Sequence, residues 1–120
     1  MKKKEVGIWG EQRAADSLRQ KGYEILETGY RSRYGEIDII AADSQFVIFV
    51  EVKTRKDDRF SEAREAIDRR KIERIRQTAA LWLSQHMIEL QPRFDVIEIY
   101  APWGVKTPEP EICHLEDAFQ

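Results

Sequence analysis

Residues 35–55, GEIDIIAADSQFVIFVEVKTR, form two apolar runs around a short polar break, Asp43-Ser44-Gln45. Each run has the length and β-branched content of a strand, and the break has turn composition, so the stretch predicts a hairpin. Strands are expected over Glu36–Ala42 and Phe46–Thr54. Both are apolar on both faces, which places them in the middle of a covered sheet. Three charges nevertheless lie inside them: Asp38, Glu51 and Lys53. A charge in a covered strand is costly unless it is paired or liganded.

The turn sets which residues face each other. If Asp43 pairs with Phe46, Asp38 falls opposite Glu51, with Cβ atoms about 4.5–5.5 Å apart. Lys53 then shares the face of Glu51. Two facing carboxylates repel unless a cation lies between them, and a hard divalent ion such as Mg2+ takes oxygen ligands while keeping waters. A slip of one residue would separate the acids. The same register also allows purely structural roles. Glu36 would face Lys53 as a cross-strand ion pair, and Asp38 could accept hydrogen bonds from Arg31 or Arg33.

Working outward, residues 5–21 have helical spacing, with Ala14, Ala15 and Leu18 on one face and Gly22 as C-terminal cap. Glu11 shares that face, either as an early acid favoured by the helix dipole or as a third carboxylate near the hairpin. Residues 23–31 read as a strand, and residues 55–65 as a polar, mobile loop. A long helix follows over residues 68–87, with Ile72, Ile75, Ala79 and Leu83 on one face. Residues 94–100 form a further strand, residues 101–110 a Pro/Gly loop, and residues 112–115 a short edge strand. Three consecutive strands make an antiparallel meander. The strand after the long helix should join in parallel by a right-handed crossover. The prediction is one α/β domain over residues 1–120, a mixed sheet with helices packed against it.

Composition narrows the classes. The chain is 42% hydrophobic and 35% charged, which predicts a globular rather than a disordered protein. No apolar run is long enough to cross a bilayer. Met1-Lys2-Lys3-Lys4 has no apolar stretch behind it, so a secretory signal is not expected and a cytoplasmic location is. The single cysteine, Cys113, excludes an internal disulfide. Net charge is −2, yet residues 53–76 hold ten Lys or Arg against six Asp or Glu. That basic stretch suits a phosphate backbone or a solvated helix face.

The residues also carry a resemblance. Asp38, followed by Glu51-Val52-Lys53 on the next strand, resembles the PD-(D/E)xK nuclease superfamily, which includes archaeal Holliday junction resolvases. One branch is closer, the YraN family of uncharacterised nuclease-like proteins. Its marks are Gly10-Glu11, Ala14-Ala15, Leu18, Gly22-Tyr23, Ile25-Leu26, Tyr30-Arg31, Gly35-Glu36-Ile37-Asp38, Val50 to Arg55, Glu65-Ala66, Lys71 and Arg93 to Val96. Ile37 stands where the superfamily name has proline, a position that supplies no ligand.

That resemblance implies a restriction-endonuclease-like three-layer fold around a mixed sheet of four to five strands. It implies Asp38 and Glu51 as ligands of Mg2+ or Mn2+, with the Val52 carbonyl as a further oxygen and Glu11 binding through water. Lys53 would orient the attacking water or neutralise charge on the phosphate. Arg55, Lys71 and Arg74 would hold flanking phosphates of a nucleic acid, expected to be DNA, and the chain would act alone or as a homodimer. The competing readings are a non-catalytic nucleic-acid-binding module of a recombination or repair complex, and a structural partner protein. Trp103 could stack a base or cover the end of the sheet. Asp95 could join the site or cap the arginine-rich face. His86 and His114 are expected to be structural or exposed, and Trp9 and Trp82 to pack.

Overall fold

The Asp43 side chain fixes the hairpin. Its Oδ1 accepts the backbone N–H groups of Gln45 at 2.8 Å and Phe46 at 2.7 Å, and its own N–H donates to the Phe46 carbonyl. These bonds hold its carboxyl below the ordinary aspartate range. From this turn the ladder runs through Ala42–Val47 to Ile39–Val50, the register expected from the sequence.

The computed structural model describes residues 3–56 and 68–119. Its elements are α1 (Lys3–Gln20), β1 (Glu24–Ser32), β2 (Gly35–Ala42), β3 (Phe46–Arg55), α2 (Arg69–Ser84), β4 (Gln91–Tyr100), a 3-10 turn (Gly104–Lys106) and β5 (Glu111–Leu115). The sheet order is β1-β2-β3-β4-β5. β3 and β4 are parallel, and the other neighbours are antiparallel. The meander, the parallel fourth strand and the edge strand all match the sequence reading. Most of the predicted loop over residues 55–65 lies outside the described residues.

Element ends differ from expectation for local reasons. β4 begins at Gln91 and contains Pro92. There β4 has β3 on one side only, because β5 pairs from Val96 onward, and a strand start with one open side tolerates a missing donor. α2 stops at Ser84, three residues early. The Trp82 carbonyl that would continue the helix is taken by the Gln85 N–H and by the His86 ring nitrogen. At its other end the Asp68 side chain caps the helix by accepting the Lys71 N–H.

Each face of the sheet carries one helix, giving three layers in the restriction-endonuclease-like arrangement. Ala14, Ala15 and Leu18 of α1 pack on Ile39, Ala41, Ile48, Val50, Ile97 and Ile99. Ile75, Ala79 and Trp82 of α2 pack on Ile37, Ile40, Val47 and Phe49. The buried line of α2 runs through Thr78 and Trp82, while Ile72 and Leu83 flank it half-buried. Among the described residues no helix is long and apolar enough to cross a membrane.

Two backbone details matter for the site. Ile37 packs on the α2 side and Ile39 on the α1 side, although residues two apart in a strand normally share a face. The alternation of β2 therefore breaks at Asp38. Gly10 brings α1 against the end of β3: a Cβ there would lie 2.0 Å from Thr54 Oγ1. Only glycine permits this approach.

Candidate active site

Beyond Ile39–Val50 the β2–β3 ladder gives way to a side chain. The Val52 N–H donates to Asp38 Oδ2 at 2.8 Å, so a carboxylate takes the place of a strand carbonyl. Asp38 and Glu51 line the same cavity, but their expected facing pair is not part of the ladder, which ends at Ile39–Val50, and Asp38 is anchored to the backbone of β3 rather than to Arg31 or Arg33. Arg31 instead pairs with Glu36, and Arg33 donates to the Tyr34 hydroxyl.

Glu51 is buried and ion-paired. Its Oε1 lies 2.9 Å from Lys71 Nζ and 3.4 Å from Lys53 Nζ. Among the described residues Lys53 thus pairs with the acid two positions earlier on its own strand, not with Glu36. Lys71, expected to hold a flanking phosphate, sits at the centre of the site on the buried acid. Burial works against its ammonium, but the hydrogen bond and charge of Glu51 outweigh that and raise its pKa.

Two clefts meet at these acids. On the α1 side a cavity of about 860 Å³ is lined by Glu11, Asp38, Glu51, Arg55, Lys56 and Trp103, among others. On the α2 side a cleft of about 220 Å³ is lined by Glu36, Asp38, Glu51, Lys71, Arg74 and Ile75, with Gly35 at its edge. Asp38 and Glu51 line both. Glu11 reaches the larger cavity from the third turn of α1, where the close contact of Gly10 sets it. The first-turn acid of that helix is Glu5, so the dipole account of Glu11 does not hold.

The acids perturb each other. Burial, then the charge of Glu51, raise the Asp38 pKa to about 7 against the opposing Val52 hydrogen bond, and Glu11 and Glu36 add to the rise. Glu11 is raised by burial and by Glu36 and Glu51. A concentration of partly desolvated carboxylates in a cleft is the electrostatic mark of a functional site. Among the described residues no three His, Cys, Asp or Glu side chains converge into a preformed metal cage. The donors are all oxygen and their repulsion would be relieved by a dication. That chemistry fits Mg2+ or Mn2+ completed by water.

Arg55 ends β3 in the larger cavity. Its Nε is shielded from solvent and has no hydrogen-bond partner among the described residues. A shielded guanidinium nitrogen without an acceptor is costly. Arg74 is exposed along the smaller cleft. Sequence reading passed over Glu36 and Lys56 as site residues. The signal for both was position, Glu36 two residues before Asp38 and Lys56 next to Arg55.

Asp95 does not join these clefts. It is fully buried against Arg93, with Oδ2 at 2.8 Å from the guanidinium and 2.7 Å from His114 Nε2, and its Oδ1 accepts the Asp117 N–H. Lys21 donates to His114 Nδ1, which leaves Nε2 as the donor to Asp95. His114 is thus structural, and so is His86, stacked on Trp82 with ring centroids 3.9 Å apart. Trp82 is buried and Trp9 half-buried, as expected for packing. Trp103 does not cover the sheet end; it is 68% exposed.

Comparison with known proteins agrees with the resemblance. The profile of "Uncharacterised protein family UPF0102" matches residues 10–99. A UPF0102 protein of Syntrophomonas wolfei is 40% identical over 117 residues, covering 97% of this chain and 98% of that protein. One from Rhodococcus opacus is 43% identical, covering 95% of each chain. One from Trichlorobacter lovleyi is 45% identical, covering 95% of this chain and 89% of its own. With the profile spanning most of the chain and relatives matched nearly end to end, the chain belongs to the UPF0102 (YraN) family.

Proposed function

We propose that the protein is a metal-dependent nuclease that hydrolyses phosphodiester bonds in structured or branched DNA. The observation that carries this reading is the break in the β2–β3 ladder. There Asp38 is held on the Val52 N–H beside a buried Glu51 and two ammonium groups. Asp38 and Glu51 would hold Mg2+ or Mn2+, with the Val52 carbonyl and, through water, Glu11. Such an ion supplies Lewis acidity toward the phosphate and lowers the pKa of a water. Lys53 orients that water or meets charge growing on the phosphate oxygens. Lys71 and Arg74 along one cleft, and Arg55 in the other, hold neighbouring phosphates without reading sequence.

A second reading is a nucleic-acid-binding module that keeps the fold without turnover. The observation favouring it is the occupation of Glu51 by two ammonium groups, which neutralise the acid without a metal.

Cleavage assays separate the two. Purified protein is incubated with four-way junctions, flaps, single strands and plain duplex, in Mg2+ or Mn2+ and in chelator. The nuclease reading expects nicking of a branched substrate only with metal. Lys53→Ala should bind that substrate but not cut it, because its contribution is made in the transition state. Binding without cutting on every substrate and metal favours the module. Cutting that persists in Lys53→Ala rejects the proposed site.

A further inference from the structure

Trp103 is a large aromatic side chain held in the open by a rigid loop. Its backbone N–H donates to the hydroxyl of the buried Thr107, and the Lys106 N–H donates to its carbonyl. The loop is tied to the end of β3, where the Ala101 N–H donates to the Arg55 carbonyl at 2.7 Å. Ala101 is buried, and Gly104 turns the chain at φ +59°. These bonds fix the backbone, yet the indole remains 68% exposed at the cavity that also holds Glu11, Asp38, Glu51, Arg55 and Lys56. An exposed indole on a fixed backbone loses little freedom when a flat partner stacks on it.

The two clefts differ in chemistry. Among the described residues the α2 cleft offers Lys71 and Arg74 and no aromatic side chain. Point charges on a helix suit the regularly spaced phosphates of a duplex. The α1 cavity combines an exposed aromatic, Trp103, with the cations Arg55 and Lys56 beside the three acids Glu11, Asp38 and Glu51. An aromatic face with flanking cations suits an unstacked base and its phosphate, the pattern of single-strand sites. The two acids lie between these surfaces and line both.

We propose that Trp103 stacks an unpaired nucleotide, so that the substrate strand passes from duplex on Lys71 and Arg74, across Asp38 and Glu51, to single strand on Trp103. This rests on the nuclease reading and narrows its substrate to nucleic acid in which a paired helix meets an unpaired strand. The exposed aromatic platform flanked by Arg55 and Lys56 selects that occupant, and the proposed metal would screen its phosphate from Glu11, Asp38 and Glu51. Inside a paired duplex each base face is already covered by its stacked neighbours.

The test is binding measured by fluorescence anisotropy, in Ca2+ and again in chelator. The probes are a blunt duplex, a single strand, and the same duplex with a splayed single-stranded arm. Trp103→Ala should weaken the forked and single-stranded probes by roughly 10- to 100-fold, the range of one base–aromatic stack, and leave the blunt duplex unchanged. Trp103→Phe should restore most of the loss, and circular dichroism should show both variants folded. Equal loss on all three probes, or no loss on any, overturns the stacking role while leaving the nuclease reading in place. Failure of the wild type to bind any probe at low salt overturns both.

Discussion

The Val52 N–H points at Asp38 Oδ2 across 2.8 Å, one step past the last backbone pair of the hairpin. The strand that carries Glu51 and Lys53 is therefore held to the other acid by that acid's own side chain. Asp38 Oδ2 thus serves the fold, and the proposed metal role would fall to Oδ1.

Metal affinity should depend on both acids. Calorimetric titration with Mn2+ or Mg2+ should show a site that Asp38→Asn or Glu51→Gln weakens strongly. Asp38→Asn should fold at least as stably as the wild type without metal, since it removes a repelling charge, whereas Glu51→Gln also takes the partner from Lys71 and Lys53 and should destabilise the fold. Unchanged affinity in both would remove the proposed ligands.

The metal-free protein should gain stability as pH falls from about 8 toward 5. Asp38 is raised by burial and by Glu51 to about 7, so across this window the folded state takes up a proton that the unfolded chain does not. Its ionisation penalty is felt fully above the folded pKa and relieved below it. Urea unfolding at a series of pH values would show the trend. Asp38→Asn should flatten it, and saturating Mg2+ should reduce it. A slope of opposite sign would mean the acids are not buried together.

Binding should be electrostatic. Lys71→Ala combined with Arg74→Ala should weaken duplex binding and flatten the plot of log K against log salt by about 0.9 for each phosphate no longer neutralised. Filter binding across a salt series gives that slope. An unchanged slope would make the exposed face of α2 a solvated surface and no more.

Asp95 should prove structural. Burial pushes its carboxyl up, but the hydrogen bonds from His114 and Arg93 outweigh this and hold it low. Its contribution to stability is then present above the ordinary aspartate pKa of about 3.9 and lost as pH falls through the lower folded value. Asp95→Ala takes from Arg93 its fully buried partner, leaving it Tyr23 and the exposed Glu116, and should destabilise the fold with metal affinity intact. Denaturant unfolding alongside calorimetry separates the two effects.

The hairpin register was legible because Asp43 writes its turn into the sequence, and a turn plus alternation determines who faces whom. The helix faces were legible for the same reason of period, although α2 turned its Trp82 inward ahead of Leu83. What the sequence did not disclose depends on approach between elements distant in the chain. Lys71 reaches Glu51 only through the way α2 lies on the sheet. Asp38 finds the Val52 N–H only because β2 changes face at that residue. Asp95 was expected in the site or on the arginine-rich face and His114 as structural or exposed, and only the pairing of β4 with β5 brings the two together.

Gly10 and Thr54 share one small volume. Because a Cβ at residue 10 would overlap Thr54 Oγ1, any size gained at the first position must be given up at the second. Residue 10 has no functional group, yet it works as a spacer gauge for the third acid, and a random mutational scan should find it as intolerant as Asp38. Suppressors of Gly10→Ala should then map to residue 54, with Thr54→Ala restoring the seat of α1. Such reciprocal rescue, measured as coupling in a double-mutant cycle, would trace the position of Glu11 to a missing methyl group.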